Sequence, residues 1–366
     1  MLHSHYFEMT FGSGAAVDGH SWSAAVPESK RAAVARALQF AFGSAEADAC
    51  EILTRGASSA LVFRICVSGK PYILRLVMEV TLLNDPRRQY SCMNAAAAAG
   101  IAPRVLYADA VDAVSIIDYV ETRPFPEEPA AVDHLLLKLA GTVRSIHSLP
   151  CFPSIVNFLE MIDMMIVGFK AAAILPGPAS DECLRLYSIL RKSYPSSDRN
   201  KVSSRNDLNI NNVLYDGNRV WIVDWEAAFS SDAYADLANV ANSFVSNEAQ
   251  EELYLNEYFR GELDDYKRAR FFLMQQVNHV FYAMVLLNLA ALGKKPGAQL
   301  QPSADIPRLR GAYELVLADR LSLKTCEGQF LMGQMFLNEA LLGLTSQRFE
   351  SSLRIMASSV RNYPIR

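Results

Sequence analysis

The sequence lacks the cysteine patterns of a metal knuckle or a disulfide framework. It contains no Cys-x-x-Cys pair and no Cys and His at zinc-binding spacing, and its six thiols are scattered, at Cys50, Cys66, Cys92, Cys151, Cys183 and Cys326. Neither a structural zinc site nor a set of disulfides is therefore expected. Reduced, scattered thiols are typical of a cytoplasmic protein, which is the localisation we expect.

An excess of basic charge is also missing. Lys and Arg number 35 against 39 Asp and Glu, which gives a net charge of −4. This balance offers no global attraction to a polyanion, so we expect no nucleic-acid partner. The composition, 51% hydrophobic and 20% charged, excludes an intrinsically disordered chain and is ordinary for a packed globule.

Signals for secretion and for a membrane span are not evident. The first twenty residues have no basic region and no apolar core, and they include His3, His5, Glu8 and Asp18, so we expect no signal peptide. The most apolar long stretch, 271–292, carries five polar side chains, at Gln275, Gln276, Asn278, His279 and Asn288. These groups would be costly in lipid, so the stretch predicts a buried helix and no membrane partner.

The 366 residues suggest roughly two domains, or one two-lobed fold, at about 150 residues per domain. Alternation, turn residues and helical spacing predict an α+β first part with an antiparallel sheet. Its elements, in order, are a helix from Pro27 to Phe42, strands Leu61–Val67 and Tyr72–Val77, a helix Arg87–Ala99, and strands Arg104–Ala108 and Val114–Val120.

A proline-rich stretch, 122–129, marks a change of character. Beyond it the chain is predicted to be mostly helical, with helices near 130–149, 154–172, 180–193, 247–260, 264–293, 307–322 and 326–343. One β-rich island interrupts these helices, because apolar runs on both sides of Asp216-Gly217 predict a hairpin.

Polar residues gather on that island. Asp207 lies five residues before Asn212, and Asp224 directly follows the apolar strand that should return beside Asn212. Two such oxygen ligands suit Mg²⁺ held with a phosphate, and a further carboxylate can orient an attacking hydroxyl. Any single Asp here could serve turn chemistry alone, but the joint pattern favours phosphoryl transfer.

Segment 204–242 resembles the catalytic loop and metal motif of the aminoglycoside phosphotransferase and choline/ethanolamine kinase superfamily. The resemblance implies a two-lobed protein-kinase-like fold, with a small N-terminal antiparallel-sheet lobe and a large, mostly helical C-terminal lobe. We divide the chain accordingly into a flexible segment 1–22, a nucleotide-binding lobe 23–121 and a catalytic lobe 122–366.

The resemblance also assigns roles to individual residues. Asp207 matches the catalytic Asp, and Asn212 and Asp224 match the two magnesium ligands. Upstream, it implies nucleotide contacts from a short phosphate-covering loop, a strand cation and a hinge, at Ser58, Ser59, Arg75, Asp118 and Val120. ATP and Mg²⁺ are the implied cofactors.

Two positions depart from the family pattern. Arg205 replaces the His expected two residues before Asp207, and no acidic residue lies between Arg87 and Gly100 to pair with Arg75. That ion pair is therefore either absent or supplied from elsewhere in the chain.

The predicted activity is ATP-dependent phosphorylation of a small-molecule alcohol. Asn206-Asp207 and Asp236-Leu237-Ala238-Asn239 favour a cationic amino alcohol such as choline or ethanolamine, and candidate acceptor contacts are Asp207, Glu226, Trp225 and Tyr282. An aminoglycoside or another small-molecule acceptor, and a nucleotide-binding pseudokinase, remain alternatives. The sequence leaves open whether the chain forms a homodimer.

Overall fold

The computed structural model describes residues 22–53, 60–82, 84–195, 201–295 and 321–362, with positions 300, 302, 303, 306–309, 312 and 315. Its strands are β1 (Ala49–Ile52), β2 (Ala60–Val67), β3 (Lys70–Val77), β4 (Val105–Asp109), β5 (Val114–Asp118), β6 (Lys201–Ser204), β7 (Val213–Tyr215), β8 (Val220–Ile222) and β9 (Phe229–Asp232). The helices are α1 (Trp22–Ala25), α2 (Glu28–Phe42), α3 (Pro86–Ala98), α4 (Pro129–His147), α5 (Phe158–Ala172), α6 (Pro178–Ser193), α7 (Ala233–Phe244), α8 (Glu248–Tyr258), α9 (Asp265–Gly293), α10 (Cys326–Leu344) and α11 (Gln347–Asn362).

The chain divides into two compact units. The first comprises the residues up to Ile155 together with Val202–Ser230, and the second comprises Val156–Lys201 and Ser231 onward. Both sides of the predicted boundary at 122–130 fall in the first unit. The division into lobes 23–121 and 122–366 therefore stays a prediction.

A five-stranded antiparallel sheet, in the order β1-β2-β3-β5-β4, forms the centre of the first unit. The β2–β3 hairpin turns through Ser68 and Gly69, whose φ angles of 51° and 71° are both positive. Two positive φ angles in a two-residue turn match the right-handed twist of the strands. Both hairpins predicted from the sequence are present, and β1 is an additional edge strand.

Side-chain alternation on β3 decides which residues reach the core. Leu74 and Leu76 are fully buried and pack with the β2 and β5 side chains and with α2 in one apolar cluster. Because successive strand residues face opposite sides of a sheet, Arg75 lies on the other face. It sits opposite Val62 on β2 and Ser115 on β5.

Helix α3 has a strong local start and stop. Asp85 caps its first turn by accepting a bond from the Arg87 N–H, and Pro86 occupies the first helical position. Gly100, with φ of 71°, follows the last turn in the left-handed conformation. The helix was predicted within one residue at each end.

A short hairpin carries the predicted β-rich island. β7 and β8 pair with Val213 opposite Ile222 and Tyr215 opposite Val220. Asp216 stabilises the turn, because its carboxylate accepts bonds from the Asn218 and Arg219 N–H groups and from the Trp221 indole. This confirms the predicted hairpin. The strands β6 and β9, which pair with each other, were not predicted.

The second unit is helical, and α9 is its central element. Helix α9 packs against α5, α7, α10 and α11. It is long and apolar enough to span a membrane, a property it shares with core helices of globular proteins. Its polar residues bond within the protein: Asn278 donates to the Ala235 carbonyl at 3.0 Å, and Asn288 donates to the Met165 carbonyl at 3.0 Å.

Helices α1, α7 and α11 were missing from the sequence prediction. Helix α11 buries one face, since Phe349, Ser352 and Met356 are buried at helical spacing among its residues up to 358. The predicted start of α5 at 154 was four residues early, because Asn157 caps the helix from outside. Most of the predicted helix 307–322 lies outside the described residues.

Candidate active site

Asp207 follows β6 on a loop, and carboxamides hold both of its carboxylate oxygens. Asn209 Nδ2 donates to Oδ1 at 2.8 Å, and Asn212 Nδ2 donates to Oδ2 at 2.9 Å. The Asp207 side chain is nevertheless 32% exposed. The carboxylate is thus fixed in orientation while remaining accessible to a ligand.

The nitrogen and the oxygen of the Asn212 carboxamide have different roles. It closes a single 3₁₀ turn, Ile210–Asn212, and its Nδ2 also donates to the backbone carbonyl of Asp207 at 2.9 Å. Because the nitrogen end binds Asp207, the carboxamide oxygen is the end left to accept from another donor or a cation.

Asp224 is brought next to Asn212 by the hairpin. The β7–β8 pairing continues past the strands through a bond from the Val223 N–H to the Asn212 carbonyl, at 3.1 Å. Asp224 itself is left-handed, with φ of 57°. A positive φ is uncommon outside glycine, and here it ends the strand and turns the chain at the carboxylate. The hairpin thus brings the backbone at Asp224 next to Asn212, which in turn binds Asp207, while the catalytic and metal-binding roles of the three residues stay predictions.

Arg75 reaches this cluster from β3. Its Nη2 lies 2.6 Å from Glu226 Oε2 and 3.2 Å from Asp224 Oδ1. The Arg75 side chain is 12% exposed, and the two carboxylates are about one-third exposed. The guanidinium is therefore largely desolvated, while its partners lie at the edge of the buried region.

The charges of this cluster depend on one another. Burial opposes the positive charge of Arg75, but Asp224 and Glu226 outweigh it and raise the pKa of the guanidinium. Burial, and then the negative charge of Asp224, raises the pKa of Glu226 despite the opposing effect of Arg75. Arg75 thus stays charged, and it offsets part of the repulsion between the two carboxylates.

Helix α3 supplies a cation where the family pattern led us to look for a carboxylate. Arg88 is buried; its Nη2 donates to the Glu226 carbonyl at 2.8 Å, and its Nη1 donates to the Ala228 carbonyl. The ion pair with Arg75 comes instead from Glu226, on the loop that Arg88 binds. The ion pair of Arg75, for which α3 has no acidic residue, is therefore supplied from elsewhere in the chain.

Arg205 takes a structural position at the start of the Asp207 loop. It is fully buried; its Nε donates to the Val223 carbonyl at 3.2 Å, and its Nη2 lies 4.0 Å from Asp207 Oδ2. Asn206 is left-handed, with φ of 61°, and its Nδ2 donates to the carbonyls of Ala227 and Phe229. These bonds fix the Asp207 loop to the segment around Asp224.

The residues present fit a magnesium ion held with a phosphate. Asp224 Oδ1 is buried and accepts no well-aligned hydrogen bond, and the Asn212 carboxamide oxygen is free of Asp207. Among the described residues no group of three or more His, Cys, Asp and Glu could hold a metal alone. One carboxylate and one carboxamide match an ion that takes its remaining ligands from phosphate and water.

The other predicted site residues lie in varied surroundings. Asp118 ends β5 and forms a bidentate pair with Arg104, at 3.0 and 3.2 Å, and Val120 follows in the irregular segment after it. Trp225 is buried, donates its indole N–H to the Ile222 carbonyl and meets the Phe152 ring edge-on. That position suits packing and not substrate contact.

Three further predicted contacts cannot be assigned to this cluster. Tyr282 belongs to the second unit, where its hydroxyl donates to Asn239 Oδ1 at 2.7 Å. Ser58 and Ser59 lie outside the described residues.

Sequence reasoning missed two residues that shape the cluster, Asn209 and Arg88. The spacing of Asn209 from Asp207 was a usable signal, because an Asn two residues after a loop carboxylate can hydrogen-bond to it. Arg88 offered no local signal, since its partners are 138 and 140 residues away.

The phosphotransferase enzyme family matches residues 49–272, more than half of the sequence, and the chain belongs to this family. No curated protein matches it in sequence. Among solved structures, a choline/ethanolamine kinase family protein from Mesorhizobium loti is similar over 84% of this chain and 92% of its own, with a TM-score of 0.61 and 19% identity.

Two further structures have the same fold. The choline kinase LicA from Streptococcus pneumoniae is 14% identical, with a TM-score of 0.52, over 84% of this chain and 94% of its own. A spectinomycin phosphotransferase in complex with ADP and spectinomycin is 12% identical, with a TM-score of 0.54, over 83% and 98%. The predicted kinase-like α+β fold, with its antiparallel-sheet lobe and helical remainder, is confirmed.

Proposed function

We propose that this phosphotransferase moves the γ-phosphate of ATP to the hydroxyl of a small amino alcohol such as choline or ethanolamine. The observation that carries the proposal is the convergence of Asp207, Asn212 and Asp224 at one end of the β7–β8 hairpin, with Arg75 beside them. We further propose that the enzyme works in the cytoplasm, which agrees with its six free cysteines.

Asp207 is the residue that orients the acceptor. Its carboxylate, held by Asn209 and Asn212, accepts a hydrogen bond from the acceptor hydroxyl and takes its proton as the oxygen attacks. Fixing the carboxylate in advance lowers the entropic cost of reaching the reactive geometry.

Arg75, Asn212 and Asp224 handle the phosphates. Asn212 and Asp224 would hold Mg²⁺, which when bound neutralises charge on the phosphate oxygens. Arg75 contributes a fixed positive charge that can contact phosphate oxygens of ATP, and a guanidinium suits such contacts because it is planar and presents several donors. Asp118 and Val120 mark the strand end where backbone groups would meet the adenine.

A cationic acceptor is supported by the second unit. Tyr282 lies beside Asn239 of the Asp236–Asn239 motif, and its ring stacks on Phe336 with a centroid distance of 5.1 Å. Phe281 meets Tyr282 at 5.1 Å. Aromatic faces attract ammonium groups, so these rings are compatible with choline or ethanolamine as the acceptor.

An aminoglycoside acceptor is the second candidate. The similarity to a spectinomycin phosphotransferase over 83% of this chain favours it. Both acceptor classes are cationic alcohols, so the catalytic residues are the same in either case. The pseudokinase alternative loses one of its reasons, because Glu226 supplies the ion pair that α3 lacks.

The test combines nucleotide binding with turnover. We expect ATP and Mg²⁺ to raise the thermal unfolding temperature, and ADP release to follow on choline or ethanolamine in a panel that also holds homoserine, sugars and aminoglycosides. Asp207→Asn should lower turnover at least about 100-fold, because it removes the proton acceptor. Nucleotide stabilisation should remain, since the amide oxygen of the new Asn can keep the bond from Asn212 while only the bond from Asn209 is lost.

Asp265→Asn is the matched control, since Asp265 is highly exposed on α9 and should be silent. Unchanged turnover in Asp207→Asn would refute its assignment. Binding without turnover on every acceptor would favour the pseudokinase.

A further inference from the structure

Arg75 has an ion-pair partner in an unexpected place. Glu226 lies 151 residues along the chain, yet it accepts a hydrogen bond from Arg75 Nη2 at 2.6 Å, shorter than the 3.2 Å to Asp224. The buried face of helix α3 has no carboxylate that could pair with Arg75. Its Tyr90 acts on Arg75 electrostatically and helps to raise the pKa of the guanidinium. The orientation of Arg75 is therefore set by the loop after Asp224 and not by a helix side chain.

Helix α3 binds the backbone of that loop through the side chain of Arg88. Arg88 binds the carbonyl of Glu226 at 2.8 Å and the carbonyl of Ala228, so one buried guanidinium clamps the chain on both sides of Ala227. The 3₁₀ turn Trp225–Ala227 packs directly on α3. Helix α3, the loop and Arg75 thus form one connected chain of contacts.

We infer that Glu226 is the positioning residue that keeps Arg75 in register for a nucleotide phosphate, and that Arg88 sets the position of Glu226. The inference rests on the proposed function. Its physical basis is competition: Arg75 lies between Glu226 and Asp224, and Asp224 is also the carboxylate suited to a metal. Glu226 takes the shorter, 2.6 Å contact of Arg75, so that the guanidinium stays at 3.2 Å from Asp224 and does not close fully onto it.

Glu226→Gln tests this competition, because it removes the charge and keeps the shape. Without the carboxylate, Arg75 moves its pairing to Asp224, so we expect a nucleotide affinity about 10-fold weaker and a several-fold higher half-saturating Mg²⁺ concentration. The measurement is titration of a fluorescent ADP analogue, with and without Mg²⁺, which needs no turnover.

A double-mutant cycle with Arg75→Met separates positioning from mere structural damage. If Glu226 acts through Arg75, Glu226→Gln costs little further affinity in the Arg75→Met background. The same fold loss in both backgrounds, or no loss in Glu226→Gln alone, overturns the inference. Arg88→Lys keeps the charge but loses one of the two carbonyl bonds, and it should reproduce part of the Glu226→Gln effect.

Glu252→Gln is the matched control, because Glu252 forms an equally short, 2.6 Å pair with Arg268 on the surface of the second unit. It should leave nucleotide affinity unchanged. A wild-type protein that binds ADP but transfers no phosphate would refute the proposed function and leave this inference standing. A wild-type protein that binds no adenine nucleotide would overturn both.

Discussion

Each of the two units contains an arginine that is largely buried and paired with a carboxylate. The two pairs differ in how much of the carboxylate is exposed to solvent. Arg75 in the first unit and Arg270 in the second both form a 2.6 Å ion pair. Arg270 is 5% exposed and its partner Asp232 is 18% exposed, whereas Glu226 beside Arg75 is 30% exposed. The Arg270–Asp232 pair is therefore shielded from solvent, whereas the carboxylate of the Arg75–Glu226 pair is accessible to solvent.

Aromatic rings shield the Arg270–Asp232 pair from solvent. The guanidinium of Arg270 lies 5.5 Å from the ring centroid of Tyr194 and 4.6 Å from that of Tyr234, and the Tyr194 hydroxyl donates to Asp232 at 3.0 Å. Asp232 also caps α7 by accepting from the Tyr234 N–H. Every group in this cluster has a protein partner, which is typical of a structural anchor.

The open cluster is arranged differently. Two carboxylates compete for one guanidinium, and Asp224 Oδ1 is left without a well-aligned donor. Incomplete pairing of a buried charge costs stability, so an arrangement of this kind is expected where a ligand completes the bonding. Burial of an arginine alone therefore does not identify a site, whereas the incomplete hydrogen bonding of its partners does.

The largest effect on stability is expected from Arg270→Met. Removing the guanidinium leaves the largely desolvated Asp232 carboxylate with its two hydrogen bonds but no counter-charge, which should lower the free energy of unfolding by about 3–5 kcal/mol. The measurement is the urea concentration at half unfolding. Arg268→Met, two residues earlier on α9 and more exposed, should cost less than about 1 kcal/mol. Equal losses in the two variants would show that burial of the Arg270–Asp232 pair adds nothing to its contribution to stability.

A smaller loss of stability is expected from Arg75→Met. The carboxylates of Asp224 and Glu226 can take up water, so the free energy of unfolding should fall by only about 1–2 kcal/mol. The thermal stabilisation by ATP and Mg²⁺ should be largely lost. If Arg75→Met unfolds as easily as Arg270→Met while still responding to ATP, then the first cluster is an anchor as well.

The smallest effect concerns pH and the second unit. Burial lowers the pKa of His279 to about 4, below its ordinary value near 6.5, and its Nδ1 lies 3.4 Å from Gln276 Oε1, with Glu339 and Arg308 acting on it from nearby. The unfolded chain therefore binds a proton first as the pH falls. The stability from neutral His279 is complete above pH 6.5 and is lost towards pH 4.

His279→Gln should remove that acid sensitivity, by roughly 1 kcal/mol between pH 7 and pH 6. The readout is the urea midpoint of the wild type and of the variant across this pH range. His134→Gln, an exposed residue of the first unit, is the control and should follow the wild type. Parallel curves for His279→Gln and the wild type would contradict the assignment.

Local patterns made most of the fold and part of the site predictable. The two hairpins of the first unit, α3 and the β7–β8 turn follow from alternation, capping and turn residues within a few positions. The convergence of Asn212 and Asp224 was predictable for the same reason, since a hairpin brings its two ends together. The pairing of Arg75 with Glu226 was not, because the two residues are 151 positions apart.

Arg88 shows most clearly which contacts could not be predicted from the sequence. Its sequence neighbourhood predicts an ordinary helix, and nothing within α3 indicates that the side chain binds the carbonyls of Glu226 and Ala228. Trp225 is the opposite case. The sequence suggested an aromatic face for a cation, and the structure puts the ring in the core, because exposure depends on what packs around a residue.

The sequence by itself determined the class of protein, through Asp207, Asn212 and Asp224 and the hairpin that joins them, since these features depend on spacing over fewer than twenty residues. Only the tertiary structure decided how the Arg75 guanidinium is held, where Arg205 is buried, and which of the two ion-paired arginines, Arg75 and Arg270, has a solvent-accessible partner. Those facts depend on groups that are far apart in the chain and adjacent in space, where desolvation and charge pairing act on all of them together.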